Sequence, residues 1–273
     1  MTQTIDPNGK TVVVTGAASG IGREIARQMA DLGAMVVIAD INQAGLDALA
    51  SELEGKGTKV LSRMVDMADL AAVDAFGKEA MDWAQGTMAL VYANAGIHGI
   101  TSGIDPDMEL FEKVIAVNLM GPIYMSKAFV PRLVAQGIPA QFVITGSQAS
   151  FLAAPGISPY VAAKHGLWGF ADSLRIELAM EQSPVSVSLV APSRADTGIT
   201  RQRLDEYREQ GGDKAVEDYI ASMVGPEKIA EVAVRESMKR AFWIIPSHEP
   251  TLEMFKARAD AIIEAMPAGE IKV

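Results

Sequence analysis

Tyr160 and Lys164 stand four residues apart in the stretch Tyr160-Val161-Ala162-Ala163-Lys164. On a helix that spacing puts two side chains one above the other on the same face. A free phenol titrates near ~10, too high for an efficient base at neutral pH. A neighbouring ammonium favours the phenolate and lowers that value. The pair could then act as a general acid/base, taking a proton from an alcohol or returning one to a ketone. Pro159 stands just before the tyrosine, as at a helix start, where the positive end of the dipole also favours an anion. Tyr-x-x-x-Lys by itself also describes a solvated helix face, so the chemistry requires an oxidant site and a proton path elsewhere in the chain.

A second group of residues offers such a site. The apolar, β-branched run Lys10–Thr15 passes directly into Gly16-Ala17-Ala18-Ser19-Gly20-Ile21-Gly22. A helical pattern through Ile25, Met29 and Leu32 follows, and then a second apolar run, 35–39, ended by Asp40. This is a β-α-β unit. Gly16 permits a tight turn, Gly20 lets the backbone approach a pyrophosphate, and Gly22 lets helix pack on strand. Backbone N–H groups from Ser19 to Gly22 and the helix dipole can hold phosphates. Asp40 lies near the ~20-residue distance at which a carboxylate accepts hydrogen bonds from an adenosine ribose. It would repel a 2′-phosphate, and no Arg or Lys occupies positions 17–19 or 41. The expected cofactor is therefore NAD rather than NADP. The spacing is G-x-x-x-G-x-G, not the general G-x-G-x-x-G pattern.

The rest of the chain repeats the alternation of strand and helix. Helix 43–54 leads to strand 60–65, ended by Asp66, and a further helix leads to strand 88–92, ended by Ala93-Asn94-Ala95-Gly96. Residues 107–133 read as one long helix with the polar Asn118 inside it, an amide that needs partners if buried. Strand 141–145 leads to Ser147, and strand 185–190 to Pro192 through Thr197. The tyrosine helix carries Leu167, Phe170, Leu174 and Leu178 as an apolar stripe. The alternation predicts an α/β fold, a Rossmann-type doubly wound parallel sheet of seven strands with helices on both faces. Ligands of such sheets sit at the carboxyl ends of strands. Residues 198–225 form a charged insertion at that edge, expected to act as a substrate lid. After a last strand at 242–245 comes a C-terminal helix with Leu252, Phe255, Ala259, Ile262 and Met266 at helical spacing.

Composition narrows the classes. The 273 residues are 49% hydrophobic, enough for a single large domain over 1–273. No cysteine is present, which excludes disulfides, thiolate zinc sites and a cysteine nucleophile and fits a cytoplasmic protein. The three histidines are scattered without metal-ligand spacing, so no metal is expected. A formal charge of −10 disfavours a nucleic-acid partner. Residues 1–9 carry no signal-peptide pattern and no apolar run approaches ~18 residues, so no membrane partner is expected.

Taken together, these stretches resemble the short-chain dehydrogenase/reductase family over about residues 10–245. The matches fall in the family's order: Thr15 through Gly22, Asp66, Asn94-Ala95-Gly96, Val117-Asn118, Ser147, Tyr160 with Lys164, and Pro192 through Thr197. The thirteen-residue step from Ser147 to Tyr160 is also the family's. The resemblance implies Tyr160 as acid/base, Lys164 lowering its pKa and holding the nicotinamide ribose, Ser147 holding the substrate oxygen, and Asn118 anchoring a relay water. It implies adenine contacts from Asp66 and the Met67 backbone and adenosine-side contacts from Asn94, Ala95 and Gly96. Contacts to the nicotinamide amide would come from Pro192, Ala195 and Thr197. It also implies a strand order of 3-2-1-4-5-6-7 and a homodimer or homotetramer, partly through the helices holding Asn118 and Tyr160. Three departures stand out: Ala93 precedes Asn94 where the family has a second Asn, Ser193 follows Pro192 where the family has Gly, and no Asp-Gly-Gly follows the last strand. Glycine permits backbone angles that serine disfavours, which bears on the nicotinamide end. The tail 247–273 is expected to seal the substrate pocket or to bury against a second subunit.

The expected activity is NAD-dependent interconversion of a secondary alcohol and a ketone. Ile97, His98, the segment 148–154 and a lid methionine, Met223, suggest a mainly apolar pocket. The substrate would be neutral, of a steroid-like, alicyclic or arylalkyl kind, although Arg194 and Arg201 keep an anionic group open. The alternatives are an NADPH-dependent carbonyl reductase and a dinucleotide-sensing protein without catalysis.

Overall fold

The computed structural model describes residues 4–193, 195–209, 213–221, 223–246 and 249–265. Arg194, the Gly-Gly at 211–212, His248 and Met266 lie outside these residues. Seven strands form one sheet: β1 (Thr11–Thr15), β2 (Met35–Asp40), β3 (Val60–Met64), β4 (Met88–Ala93), β5 (Ala140–Thr145), β6 (Val185–Val190) and β7 (Trp243–Ile244). All pair in parallel, in the order β3-β2-β1-β4-β5-β6-β7. The strand order and the doubly wound fold are those expected from the sequence. The order reverses between β1 and β4, which makes their carboxyl ends the crevice of the sheet.

Both faces of the sheet are covered, which is why its strands read as continuous apolar runs. Val12, Val14, Val36 and Ile38 point to one side and pack with helices α1 (Gly20–Asp31), α2 (Gln43–Gly55) and α9 (Pro226–Met238). Their alternates Val13, Val37 and Ala39 point to the other side, toward α3 (Leu70–Ala84), α5 (Gly121–Gln136) and α6 (Ser158–Met180). Asn42, Asp69 and Asp107 accept backbone N–H bonds as N-caps of α2, α3 and α4 (Met108–Ile115).

The single helix expected over 107–133 is instead α4, a π-helical turn at Ala116–Met120, and α5. The apolar pattern runs through the turn without a break, so periodicity does not reveal it. Met108–Gln136 is also long and apolar enough to cross a membrane by length and composition, with mean hydropathy 1.2 in its best window. Half of that window is buried inside the fold, where α5 lies against α3. The insertion after β6 folds as two helices, α7 (Gly198–Glu209) and α8 (Asp213–Ala221), and the tail as α10 (Glu249–Glu264).

Candidate active site

The glycine loop is held open for close approach. Gly16 has φ +66°, and a Cβ there would lie 2.8 Å from Ala95 Cα. A Cβ on Gly22 would lie 2.2 Å from the Gly16 carbonyl oxygen and 2.6 Å from Asn94 Nδ2. Neither position accepts a side chain, since backbone rather than a flexible tip stands in the way. Beside the loop, Asp40 at the end of β2 accepts from the Ala18 N–H (3.0 Å) and the Asn42 N–H (2.9 Å). The carboxylate is thus fixed at the mouth of the loop, with the exposed Ile41 next to it.

Asn94 joins three strands at the switch point. Its Nδ2 donates to the Thr15 carbonyl (3.0 Å), its N–H to Thr15 Oγ1 (3.0 Å), and its Oδ1 accepts from Thr145 Oγ1 (3.1 Å). The Thr145 carbonyl in turn accepts from Lys164 Nζ at 2.8 Å. Lys164 is 3% exposed. Burial pushes its ammonium down from 10.5 to about 8. Its Nζ lies 5.6 Å from the centroid of the Tyr160 ring. The first two turns of α6 therefore bring phenol and ammonium together as the spacing predicts, while Pro159 sits buried in the first turn.

Ser147 leads a short 3-10 turn, Gln148–Ser150, whose backbone is tied to the strand beside it: Gly146 N–H donates to the Val190 carbonyl (2.7 Å) and Gln148 N–H to the Pro192 carbonyl (2.9 Å). Asn118 is fully buried in the π turn, and its side chain clamps the Ile97 backbone at both ends. Oδ1 accepts from the Ile97 N–H and Nδ2 donates to the Ile97 carbonyl, each at 2.8 Å. That clamp fixes the start of the loop carrying His98, whose ring lies 5.4 Å from that of Tyr160.

A cleft of about 560 Å³ runs through these parts, within the usual range for a small-molecule site. Its lining includes Gly16, Ser19, Gly20, Ile21 and Asp40, together with Ser147, Tyr160 and Lys164, and Asn94, Gly96, Pro192, Ala195 and Thr197. Of the residues expected at the site, Gly22, Asp66, Met67, Ala95 and Asn118 do not line the cleft. Gly22, Ala95 and Asn118 stand directly behind it, through the contacts above. Met67 is buried, and Asp66 is exposed with Oδ1 accepting from the Ala68 N–H (2.9 Å).

Two expectations about the substrate end change. Met223 does not line the cleft, whereas Tyr219 of α8 does. The walls keep the expected apolar majority, with Ile97, Ala149, Leu152, Ala153, Ala154, Ile157 and Met254, and add the polar His98, Gln148, Tyr219 and Thr251. Arg201 is paired with Asp196 (2.6 Å) and is not a lining residue. Ser193 does not need glycine's angles: it lies outside the left-handed region, and its hydroxyl donates to the Pro246 carbonyl at 3.3 Å.

Sequence reasoning expected the tail 247–273 to seal the pocket or to bury against a second subunit, but it named none of Tyr219, Thr251 and Met254 as lining the cleft. Thr251 is buried and Met254 reaches the cleft mouth. Phe255 packs edge-on against Phe151 (5.4 Å), which also meets Trp168 (5.2 Å) and Trp243 (5.6 Å). The helical spacing of the tail announces an apolar face, but nothing in it names Phe151 as the surface it covers.

A parallel sheet with a glycine turn and helix N-terminus at its switch point is the architecture of dinucleotide-binding enzymes. Residues 10–208 match the family model for short chain dehydrogenase, and the chain belongs to that family. Its members bind a nicotinamide dinucleotide and act as oxidoreductases. The chain is 35% identical over 209 residues to 1-deoxy-11-beta-hydroxypentalenate dehydrogenase of Streptomyces exfoliatus, covering 76% of this chain and 74% of that one. It is 33% identical over 240 residues to a probable oxidoreductase, EphD, of Mycobacterium tuberculosis, covering 85% of this chain and only 40% of that longer relative. A short chain dehydrogenase/reductase from Burkholderia phymatum, solved in complex with NAD, superimposes with TM-score 0.86 at 26% identity, over 98% of this chain and 100% of that one.

Proposed function

We propose that the chain is an NAD-dependent alcohol dehydrogenase that interconverts a neutral secondary alcohol and its ketone, working as one catalytic unit. The observation that carries this reading is that Tyr160, Lys164 and Ser147 line the same cleft as Gly16, Gly20 and Asp40. The glycine turn, where a Cβ would collide with backbone, fits a pyrophosphate; the Asp40 carboxylate fits a ribose diol. Gly16, Ser19, Gly20, Ile21 and Gly22 would hold the phosphates. Asn94, Ala95 and Gly96 would flank the adenosine side, and Asp66 with the Met67 backbone the adenine. Pro192, Ala195 and Thr197 would hold the nicotinamide amide. When bound, the nicotinamide supplies or accepts the hydride.

The chain's own residues handle the proton and the substrate oxygen. Ser147 Oγ holds the reacting oxygen, and Tyr160 takes the hydroxyl proton during oxidation or returns it during reduction. Lys164 supplies a charge that favours the phenolate. With both ends of the Asn118 amide on Ile97, a relay water would rest on the Asn118 backbone, where the π turn interrupts the regular ladder. Helices α7 and α8 serve as the lid and α10 as the closing wall. Light scattering is expected to give the mass of a dimer or tetramer, as in the family; a monomer would contradict the oligomer reading.

The test is absorbance of reduced nicotinamide during incubation with NAD and secondary alcohols graded in size. Tyr160→Phe should lower kcat by about 10²- to 10⁴-fold, the usual contribution of a general acid/base. The dissociation constant for NADH should stay within about twofold of wild type, an effect below ~0.5 kcal/mol. Loss of both together would contradict the role assigned to the tyrosine.

A further inference from the structure

Beyond Tyr160, a mostly apolar lining is broken by polar side chains, among them His98, Gln148, Tyr219 and Thr251. Lys164 is the only lysine or arginine among the described lining residues, and it is buried against the Thr145 carbonyl. An anionic substrate would meet no clamp here, and a plain hydrocarbon body would leave hydrogen-bonding groups facing it.

Gln148 is the best placed of these groups. It directly follows Ser147, and its backbone is held at several points. Its N–H donates to the Pro192 carbonyl (2.9 Å), and its carbonyl accepts from Phe151 and Leu152 (3.0 Å each). Its side-chain amide meets Thr251 Oγ1 at 3.5 Å. Whichever way the amide is flipped, one end faces Thr251, and the other makes no hydrogen bond with any described residue. That end is reached by solvent in the cleft, so a ligand oxygen can take the place of water there at the gain of one neutral hydrogen bond. Thr251 is brought there by α10, which Phe255 seats on Phe151. Residue 251 also lies beyond the 10–208 span that the family model matches.

We infer that Gln148, steadied by Thr251, reads a second, uncharged oxygen on the substrate. The class is a neutral ring-bearing secondary alcohol or ketone with an ether, hydroxyl or keto oxygen a few bonds from the reacting carbon. This rests on the dehydrogenase reading for the placement of the reacting oxygen at Ser147. A neutral hydrogen bond completed in a partly buried site discriminates by about tenfold.

The test compares ligands of one shape with and without that oxygen. 1-Tetralone is titrated by calorimetry into the enzyme–NAD complex beside its two oxa analogues, 4-chromanone and isochroman-4-one, in which a ring CH₂ becomes O. At least one oxa analogue should bind about tenfold more tightly than tetralone. The ratio, taken within each variant so that general losses cancel, should fall to within about twofold in Gln148→Leu. If that variant does not fold, Thr251→Val carries the same test with a smaller fall. Equal affinities in the wild type, a preference that survives both variants, or no binding of any of the three would overturn the inference. NADH-dependent reduction of the same ketones reports separately on the dehydrogenase reading. Binding with the expected preference but no reduction would count against that reading alone, and reduction without preference would count against this inference alone.

Discussion

Lys164 shows at the level of one residue how the site sets chemistry against stability. Its ammonium is buried, donates to the Thr145 carbonyl, and has its pKa pushed by burial from 10.5 to about 8. In the unfolded chain the lysine keeps its proton to the higher value, so between about 8 and 10.5 the unfolded state binds the extra proton. Wild-type stability therefore rises with pH across that window. Below it the folded state carries the full cost of a buried charge, about 3 kcal/mol. Lys164→Met removes that cost but leaves the Thr145 carbonyl without its donor, a loss of ~1–3 kcal/mol. The two nearly cancel at pH 7, so the apo variant is expected to melt close to or above wild type there while losing turnover. Its advantage should shrink as pH rises toward 10. Thermal melts of both proteins at several pH values measure this; an advantage that grows with pH would contradict the assignment. The charge pair was legible in the sequence because four-residue spacing is local. The clamp of Asn118 on Ile97 was not, since it joins residues 21 apart through a π turn that leaves no mark on apolar periodicity.

At the scale of elements, the strands could be read because the inner ones are largely apolar runs buried on both faces, and the bounds of all seven shift by only a residue or two. The departures occur where burial is incomplete. β7 shrinks to Trp243–Ile244 at the sheet edge, and Trp243 is itself exposed. Helix α10 is the clearest case: its pattern announces an apolar face, but only the fold reveals the cluster of Phe151, Trp168, Trp243 and Phe255 that receives it. Such edge-on aromatic pairs contribute about 0.5–1.5 kcal/mol each beyond area burial. The cluster lies behind the Ser147 turn, so loosening α10 should disturb the substrate end and spare the dinucleotide end. Phe255→Ala is expected to raise the Michaelis constant for a bulky alcohol several-fold. It should leave the NADH dissociation constant unchanged and lower Tm by about 2–4 °C, the size expected for a loss of ~1 kcal/mol. Deleting Pro250–Val273 should exaggerate the same pattern. Unchanged kinetics together with an altered oligomer mass would move α10 from the pocket to a subunit interface.

For the whole molecule the relevant quantity is a net charge of −10. A dinucleotide is itself an anion, so the diffuse field of the protein opposes its approach. Many phosphate sites answer with lysine or arginine, but among the described residues lining this cleft the only such side chain is Lys164, buried at the catalytic end. Attraction for the pyrophosphate must then come from backbone N–H groups of the Gly16–Gly22 turn and the N-terminal end of α1, fixed dipoles acting at contact distance. These two contributions differ in range. Salt screens the diffuse repulsion, whose reach at physiological ionic strength is ~8 Å, but hardly touches contacts inside the cleft. NADH affinity is therefore expected to hold constant or to tighten slightly between about 50 and about 500 mM salt, opposite in sign to binding in a basic cleft. NADPH brings two more charges close to Asp40, whose carboxylate is pinned by the Ala18 and Asn42 N–H groups and cannot swing aside without breaking both bonds. It should bind at least about tenfold more weakly, ~1.4 kcal/mol, and the gap should narrow at high salt. Fluorescence titration of both reduced cofactors over that range decides the matter. A several-fold loss of NADH affinity with added salt would show that cationic side chains hold the phosphates after all, and NADPH binding as tightly as NADH would remove Asp40 as the discriminating group.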